Sequence, residues 1–335
     1  MPAKQQVKTP TIWIDAAGQA GSRASSEYPP AAGSDLHRHI NELWCRYCLD
    51  NGPGIPDQLH VPASQAFLQA YCTGAGLPAI DAVLIPTRKT VTCIVTAMNE
   101  EQSIPDVLNQ LYRLPLKEII VVVNGSTDTT LEAVKQSGRA VVVHYAKPLG
   151  HDVGRAVGAK LADSDMLLFT DGDFSIEAEA YIPFINALEN GADLALNELS
   201  PFQGNFINWD EVTMMKAFLN RSLGRRDLGT CSLTAVPHAL SRKAVESIGV
   251  RQLSVPPKAQ ALALTKGLAV VPAGSVDVIQ SNRIRRTNTG ANNEVARLIV
   301  GDHLEALHTV LAEKDSRLSF PDQMRKRGLI RGNAG

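Results

Sequence analysis

From Thr90 onward the chain alternates short apolar, β-branched runs with segments whose apolar residues recur at helical spacing. The pattern predicts strands at residues 91–96, 118–123, 140–144, 166–170 and 193–196, and helices at 104–114, 127–136, 153–162 and 178–189. Strands that alternate with helices form parallel βαβ units whose sheet is covered on both faces. The sequence therefore predicts an α/β fold with a Rossmann-like, mostly parallel sheet. Ligands of such sheets bind at the carboxyl ends of the strands.

Two regions precede this sheet. Residues 36–88 carry apolar residues at helical spacing and are expected to form a helical extension that packs on the sheet domain. Residues 16–34 are Ala, Gly, Ser or Pro at 15 of 19 positions, a composition that buries little apolar surface. We therefore expect residues 1–35 to be a flexible leader.

The sheet domain is predicted to span residues 89–315, with a last strand at 276–279 and a last helix that opens near Gly301. A tail at residues 316–335 carries five basic residues against one acidic residue. Its composition fits a solvated tail, and attachment to an anionic lipid or polyphosphate is the alternative.

Charge and composition exclude several classes of protein. The 335 residues include 33 Lys and Arg against 34 Asp and Glu, so no dominant basic surface for nucleic acid is expected. No apolar run approaches the ~20 residues that span a bilayer, and no secretory signal pattern is visible at the start. Five cysteines are an odd number in a long chain, which disfavours a disulfide framework. We expect a cytoplasmic protein.

An aspartate pair carries the clearest chemical signal. Asp171 and Asp173 flank Gly172 directly after the apolar strand predicted at 166–170. Two carboxylates at a strand end suit one hard cation, Mg²⁺ or Mn²⁺, whose coordination is completed by substrate phosphates. A solvated turn is the alternative for an isolated Asp-x-Asp, but the position after a buried strand favours the metal site.

Two further loops carry weaker signals. Residues 149–159 form a glycine-containing loop that opens a helix, where free amides and Arg155 would attract phosphate; a helix cap with a solvated arginine is the alternative. Residues 124–128, Asn-Gly-Ser-Thr-Asp, form a turn of the kind that caps helices in many proteins.

Taken in order, these motifs resemble those of the family 2-like glycosyltransferases with the A-type (GT-A) fold. The resemblance covers about residues 90–275 and rests on residues 96–101 (Thr-Ala-Met-Asn-Glu-Glu), 122–128, 150–162, 170–173 (Thr-Asp-Gly-Asp) and 241–249. The front half is also similar to glucosyl-3-phosphoglycerate and mannosylglycerate synthases, which retain configuration at the sugar.

The resemblance implies a nucleotide-sugar donor, with a UDP- or GDP-sugar expected, a Mn²⁺ or Mg²⁺ ion and an unidentified acceptor. It implies these donor contacts: Ala97, Asn99, Glu100, Asn124, His151, Arg155, Asp171 and Arg283. For Arg283, within an arginine-rich run at 282–286, a charged surface loop is the alternative. The metal ligands implied are Asp173 and Asp171. His303 is considered as a third ligand, against a histidine in a helix-capping region.

Two departures from the family pattern leave the mechanism open. Val123 stands where many relatives carry an acid that reads the base. Gln260 lies where inverting relatives carry a catalytic acid, and an amide cannot accept a proton as a base. The candidate bases elsewhere are Asp210, Glu211, His238 and Asp302. The expected catalytic residues are Asp171, Asp173 and Glu211. There are two alternatives. The enzyme retains configuration and needs no such base, or the chain is an inactive relative that only binds nucleotide sugar.

A sugar-phosphate nucleotidyltransferase and a zinc site fit the sequence less well. A sugar-phosphate nucleotidyltransferase would need a glycine-rich first loop, and residues 96–101 contain no glycine. Cys45 and Cys48, with two histidines upstream, suit zinc by ligand type, but their spacing on one helix face favours buried thiols. A homodimer is compatible with the sequence.

Overall fold

A computed structural model describes residues 10–30, 35–50, 55–278 and 293–325 of the 335-residue chain. Its helices are α1 (Pro10–Glu27), α2 (Leu36–Asp50), α3 (Asp57–Gly74), α4 (Ile104–Leu111), α5 (Thr130–Ser137), α6 (Val153–Leu161), α7 (Ile182–Glu189), α8 (Glu211–Ser222), α9 (Arg242–Ile248), α10 (Pro256–Thr265) and α11 (Glu294–Glu313). Its strands are β1 (Val91–Ala97), β2 (Glu118–Asn124), β3 (Val141–Tyr145), β4 (Met166–Asp171), β5 (Leu194–Leu196), β6 (His238–Ser241) and β7 (Val270–Pro272).

The strands described form one seven-stranded sheet in the order β3-β2-β1-β4-β6-β5-β7. The first four strands are mutually parallel, and β6 runs antiparallel to both β4 and β5. The predicted α/β fold with a mostly parallel sheet is therefore confirmed. The strand predicted at 276–279 is wrong for residues 276–278, which are irregular. The last of the described strands is β7, and residue 279 lies outside the described residues.

Each face of the sheet has its own apolar core. Apolar residues of α4 and α7 pack on one face, and those of α6, α9 and α10 pack on the other. The central strands are apolar on both faces for this reason, as parallel strands covered by helices require. A Cβ atom at Gly158 of α6 would lie 2.4 Å from Ile94 Cγ2, so the glycine lets this helix approach β1 closely.

The N-terminal helices form a third core around Trp44, Phe67 and Tyr71. The expected flexible leader is wrong for residues 10–27, because they form α1 and pack along α3. Small residues make this contact possible: a Cβ at Gly21 would lie 2.2 Å from the carbonyl oxygen of Phe67. The alanines and glycines that suggested flexibility are thus the residues that allow two helices to touch.

Helix α2 is joined to the segment that leads into β1. Asn41 Oδ1 accepts a hydrogen bond from the amide of Ile85 at 2.8 Å. Cys45 Sγ donates to the carbonyls of Ile85 (3.2 Å) and Thr87 (3.1 Å), and burial raises the pKa of this thiol to about 12. The described residues contain no metal-binding group of three His, Cys, Asp or Glu, so the zinc alternative is not supported.

Helix α11 begins seven residues before the predicted position. Asn293 is its N-cap, and its side chain accepts from the amide of Ala296 at 2.8 Å. The predicted opening near Gly301 is therefore wrong, since Gly301 and Asp302 lie inside the helix. The helix packs on α8 and α10 through Ala306, Leu307 and Val310. The tail beyond residue 325 lies outside the described residues.

Candidate functional site

A polar cleft of about 270 Å³ opens at the carboxyl ends of β1, β2 and β4. Parallel strands place their following loops at one edge, which is where ligands of doubly wound sheets bind. The cleft is lined by Thr96, Ala97, Met98, Glu100, Asn124, Pro148, Gly150, His151, Asp152, Gly154, Arg155, Asp171, Gly172 and Asp173. Seven of the sequence-predicted site residues are brought together here: Ala97, Glu100, Asn124, His151, Arg155, Asp171 and Asp173.

The aspartate pair is fixed by the pairing of β4 with β1. Thr96 is the register partner of Asp171, and its hydroxyl donates to Asp171 Oδ1 at 2.7 Å. The amide of Gly172 continues the contact by donating to the carbonyl of Thr96 at 2.8 Å. A Cβ atom at Gly172 would lie 3.1 Å from Ala97 Cβ and 3.2 Å from the Thr96 oxygen, which explains the glycine. Both carboxylates therefore border the cleft on a rigid strand end.

Arg155 is buried beside the first of these carboxylates. Its guanidinium lies 3.1 Å from Asp152 Oδ1 and 3.4 Å from Asp171 Oδ2, and it donates to the carbonyl of Leu233 at 2.9 Å. Burial alone would lower the pKa of Arg155, but Asp152 and Asp171 raise it above its ordinary value, with a smaller contribution from Asp173. The described contacts make Arg155 a residue that positions Asp171. Its expected contact with a diphosphate stays a prediction.

Two asparagines hold the loops around the cleft. Asn124 donates from Nδ2 to the carbonyl of Gly150 (3.0 Å) and accepts at Oδ1 from the amide of Leu149 (2.8 Å). Asn99, at a positive φ of 60°, accepts at Oδ1 from the amide of Thr127 at 2.8 Å. Asn124 borders the cleft, whereas Asn99 is not among the residues that line it. Asn99 holds the loop after β2, and its expected contact with the donor stays a prediction.

Glu100 and His151 complete the cleft in different ways. Glu100 is only 3% exposed, and Ser103 Oγ lies 3.3 Å from its carboxylate. Its amide donates to Thr130 Oγ1 at 2.8 Å, which ties the loop after β1 to the start of α5. The His151 side chain is about half exposed and lies 3.8 Å from Asp152 Oδ2. Of the two, His151 is the side chain with room to move towards a ligand.

Two of the other sequence candidates lie away from the cleft, and a third falls outside the described residues. His303 is fully buried in α11, with Nδ1 2.7 Å from the carbonyl of Ile299, and burial lowers its pKa to about 4. Since no three metal-binding side chains cluster anywhere in the described chain, His303 as a third metal ligand is wrong. Glu211 is exposed at the start of α8 and does not line the cleft. Arg283 lies outside the described residues.

Two candidate positions for catalysis are structural. His238 stacks on Phe169 with ring centroids 5.0 Å apart, and burial, followed by the charge of Arg155, lowers its pKa to about 3. Gln260 is 1% exposed and accepts from the amide of Leu233 at 2.9 Å while donating to Asn220 Oδ1 at 2.7 Å. Neither side chain lines the cleft. Position 260 carries a buried amide that belongs to a hydrogen-bond network, and not a catalytic acid.

Two carboxylates remain as candidate bases. Asp210 is the N-cap of α8, accepts from the amide of Thr213 at 2.8 Å, and borders a second cavity of about 430 Å³ together with Lys216. Asp302 lies near the cleft entrance: burial first, and then the charge of Asp152, raises its pKa to about 6. A carboxyl with a pKa near neutrality is suited to proton transfer.

Asp152 is a site residue that sequence reasoning missed. It is the N-cap residue of α6 with a φ of 60°, and it pairs with Arg155 three positions later. The i,i+3 spacing of an acid and a base at a helix start was the available signal.

The comparisons with known proteins agree with this geometry. The family model described as "Glycosyl transferase family 2" matches residues 92–249, which include β1, β2, β4, α6 and the aspartate pair. Residues 92–249 are a glycosyl transferase family 2 domain.

Curated relatives match over shorter stretches of the chain. Glycosyltransferase AglJ of Haloferax volcanii is 28% identical over 114 residues, which are 34% of this chain and 37% of that protein. An uncharacterized glycosyltransferase of Mycobacterium tuberculosis is 32% identical over 122 residues, 36% of this chain and 53% of that protein. This chain thus spans between about a third and a half of the length of these relatives.

Solved structures of glucosyl-3-phosphoglycerate synthase from Mycobacterium tuberculosis are similar at a lower level. The complex of that enzyme with Mn²⁺, UDP and phosphoglyceric acid is 20% identical, with a TM-score of 0.48 over 70% of this chain and 81% of that one. The complex with Mg²⁺ and UDP is 18% identical, with a TM-score of 0.47 over 70% and 82%. The ligands in these crystals are those of the mycobacterial enzyme.

None of the described helices combines the length and the apolar character that a membrane span requires.

Proposed function

We propose that this protein is a metal-dependent glycosyltransferase that transfers a sugar from a nucleoside-diphosphate sugar to an acceptor. The observation that carries the proposal is the placement of Asp171 and Asp173 on one cleft, at the carboxyl end of β4 and inside the family 2 domain. Carboxylates at this edge of the sheet face the position where a ligand enters. The identity of the acceptor is left open by this argument.

The residues of the cleft fit a divalent cation. Asp171 and Asp173 offer hard oxygen ligands of the kind that Mg²⁺ and Mn²⁺ prefer. With two carboxylates as the protein ligands, phosphate oxygens of the donor and water would complete the coordination, which is usual for Mg²⁺ beside nucleotides. Such an ion, when bound, neutralises charge that develops on a diphosphate leaving group.

The remaining residues of the cleft have roles in binding and positioning. Arg155 holds Asp171 from the buried side. Asn124 holds the backbone at Leu149 and Gly150, which keeps the loop open beside the aspartates. His151 is half exposed at the mouth of the cleft and would contact the diphosphate. We expect the nucleoside to lie over Ala97 and Glu100, with uracil or guanine as the base.

The proton of the acceptor needs a destination if configuration is inverted. Asp302 is our first candidate, because its raised pKa and its position near Asp152 suit a base at the rim. Asp210 is the second, because it borders the second cavity. Retention of configuration would need neither residue. A cytoplasmic location belongs to the same proposal, since all five cysteines are free thiols, as in a reducing compartment.

A thermal-shift titration tests the proposal. UDP and GDP are each added with and without Mn²⁺ to the full chain and to Asp173→Asn. A ligand that binds only the folded state stabilises it, by ~2.7 kcal/mol at a hundredfold excess over Kd. We expect one diphosphate to raise Tm only when Mn²⁺ is present, and Asp173→Asn to lose that rise.

The matched control is Asp163→Asn, because Asp163 is fully exposed in the loop before β4, at the opposite end of the strand. It should keep the full response. A response that persists in Asp173→Asn, or the absence of any response in the unsubstituted chain, would contradict the proposed donor site.

A further inference from the structure

Helix α8 and the turn before it carry an exposed apolar surface. Phe206 and Ile207 are 68% and 87% exposed, and Met214 and Phe218 of the helix are 42% and 54% exposed. A groove of about 590 Å³ runs along this surface, with Arg221 and Arg226 at its edge. Contiguous apolar surface with a polar rim is typical of an interaction site, whereas scattered apolar residues are not.

The exposed side chains of α8 form a stripe, in which residues of matching kind lie at equal distances on either side of Lys216. Glu211 and Arg221 are exposed and lie five residues on either side of Lys216, and Met214 and Phe218 lie two residues on either side. At 100° per residue, all four side chains fall within a quarter of the helix circumference. No ion pair involves Glu211 or Arg221 within the described chain.

This arrangement complements itself when the helix is reversed. If a second copy of α8 packs antiparallel about a two-fold axis at Lys216, each Met214 faces the partner's Phe218. Each Glu211 then faces the partner's Arg221, so two apolar contacts and two ion pairs form at once. Isologous interfaces of two-fold dimers are self-complementary in this way.

We propose that α8 is the centre of a homodimer interface, in which two copies of the chain pack their α8 helices antiparallel. A second copy is the occupant we commit to, because the stripe carries an acidic end at Glu211 and a basic end at Arg221, and a reversed copy complements both whereas an anionic lipid surface complements only the arginine. Phe206 and Ile207 project beyond the helix start and would lie near the end of the partner's helix, at the groove beside Arg226. This proposal goes beyond the donor site and does not depend on it.

Sedimentation velocity of the full chain over a range of concentrations is the first measurement. We expect a species of twice the 36.1 kDa chain mass, with a monomer appearing on dilution. Phe218→Asp places a charge in both halves of the contact and should leave the chain monomeric at every concentration. Because Phe218 is exposed, circular dichroism should be unchanged.

A charge exchange tests the antiparallel register itself. Glu211→Arg sets arginine against the partner's Arg221, and Arg221→Glu sets glutamate against the partner's Glu211. Each single change acts twice in the dimer and should raise the dissociation constant by about tenfold, as like charges across an interface do. The double variant Glu211→Arg with Arg221→Glu restores both pairs and should return the dissociation constant to within about threefold of its original value.

The control is Glu246→Arg, an equal charge change at an exposed position of α9, which should leave the dimer intact. Three results would overturn the proposal. The unsubstituted chain is monomeric throughout; or a dimer survives Phe218→Asp and both single charge changes; or the chain is monomeric and binds anionic vesicles through Phe218, which would assign the surface to a lipid instead.

Discussion

At the scale of the residue, the ion pairs around Arg155 decide how the aspartate pair is presented. The guanidinium is buried and shared by Asp152 and Asp171, while Thr96 fixes the other side of Asp171. A buried charge that loses its partner is costly, so each member of this group depends on the others. The carboxylate of Asp171 is thus oriented before any ligand arrives, as a preformed site requires.

Replacing Arg155 by methionine should lower the free energy of unfolding by about 3 kcal/mol, because Asp152 and Asp171 are left without their buried cation. Urea unfolding of the full chain measures this change. Arg251→Met is the control, since Arg251 is exposed, and it should cost less than about 0.5 kcal/mol. A loss below 1 kcal/mol in Arg155→Met would show that water satisfies the two carboxylates.

The raised pKa of Asp302 gives a second prediction at this scale. The folded chain binds this proton up to about pH 6, whereas an unfolded aspartate releases it near pH 4. The resulting stabilisation is complete below about pH 4 and is lost as the pH rises through about 6. Asp302→Asn resembles the protonated form at every pH, so it should raise the free energy of unfolding only at neutral and higher pH.

We expect the gain in Asp302→Asn to be about 1 kcal/mol near pH 8, because the partial exposure of Asp302 reduces the effect, and about zero near pH 4. Urea unfolding at both pH values measures it. Glu313→Gln, at an exposed position near the end of α11, is the matched control. An equal gain at both pH values would show that the effect is not the titration of Asp302.

At the scale of the element, the close contact between α6 and β1 depends on a glycine. Gly158→Ala would place a Cβ 2.4 Å from Ile94 Cγ2, in a core where both side chain and backbone are packed. We expect a loss of about 2 kcal/mol in the free energy of unfolding, which is typical of overpacking. In an Ile94→Ala background, the same change should cost less than about 0.5 kcal/mol, because the clashing methyl group is gone.

Lys160→Ala, on the same helix, controls for a change in helix propensity and should have little effect on unfolding, because Lys160 is exposed. If Gly158→Ala costs as much in the Ile94→Ala background as in the unsubstituted chain, the contact between α6 and β1 is not what requires the glycine.

The accuracy of the sequence predictions follows the kind of element. The first five predicted strands coincide with β1 to β5 within two residues at each end. Strands β1, β2, β4 and β5 are buried and read as continuous apolar runs, whereas the more exposed β3 is indicated by its three β-branched valines. The sequence does not predict strands β6 and β7, because β6 has a polar residue at each end and β7 ends in a proline. Helix α1 was missed because its Ala, Gly and Ser residues have the composition of a flexible segment, whereas here they permit close packing on α3.

The site could be predicted from sequence only in part. Asp171 and Asp173 follow a strand directly, so their place at the sheet edge could be derived from the sequence. The pairing of Arg155 with Asp171 could not, because it joins residues 16 positions apart and depends on how α6 packs against β1. The same holds for Asn124, whose neighbours Leu149 and Gly150 come from a distant loop. The position of His303 away from the aspartate pair could not be predicted either, because it depends on how α11 packs.

At the scale of the whole molecule, the helical layer of α1 to α3 and the sheet domain have separate apolar cores. They meet where Asn41 and Cys45 of α2 bind the backbone at Ile85 and Thr87, just before β1. A buried amide that loses its acceptor costs about 1–3 kcal/mol. These hydrogen bonds are therefore the connection through which the layer is held on the sheet, and the cleft that contains Asp171 and Asp173 lies at the other end of β1.

Asn41→Ala removes the acceptor of the Ile85 amide and should loosen this connection without disturbing the cleft. Hydrogen exchange at residues 36–50 and 83–87 should become about tenfold faster, while exchange in β1 and β4 stays unchanged, because units with separate cores open separately. Glu42→Ala, at the exposed neighbouring position, should have no effect. If Asn41→Ala accelerates exchange equally in β1 and β4, the layer and the sheet unfold as one unit. The N-terminal helices would then contribute to the stability of the cleft that contains Asp171 and Asp173.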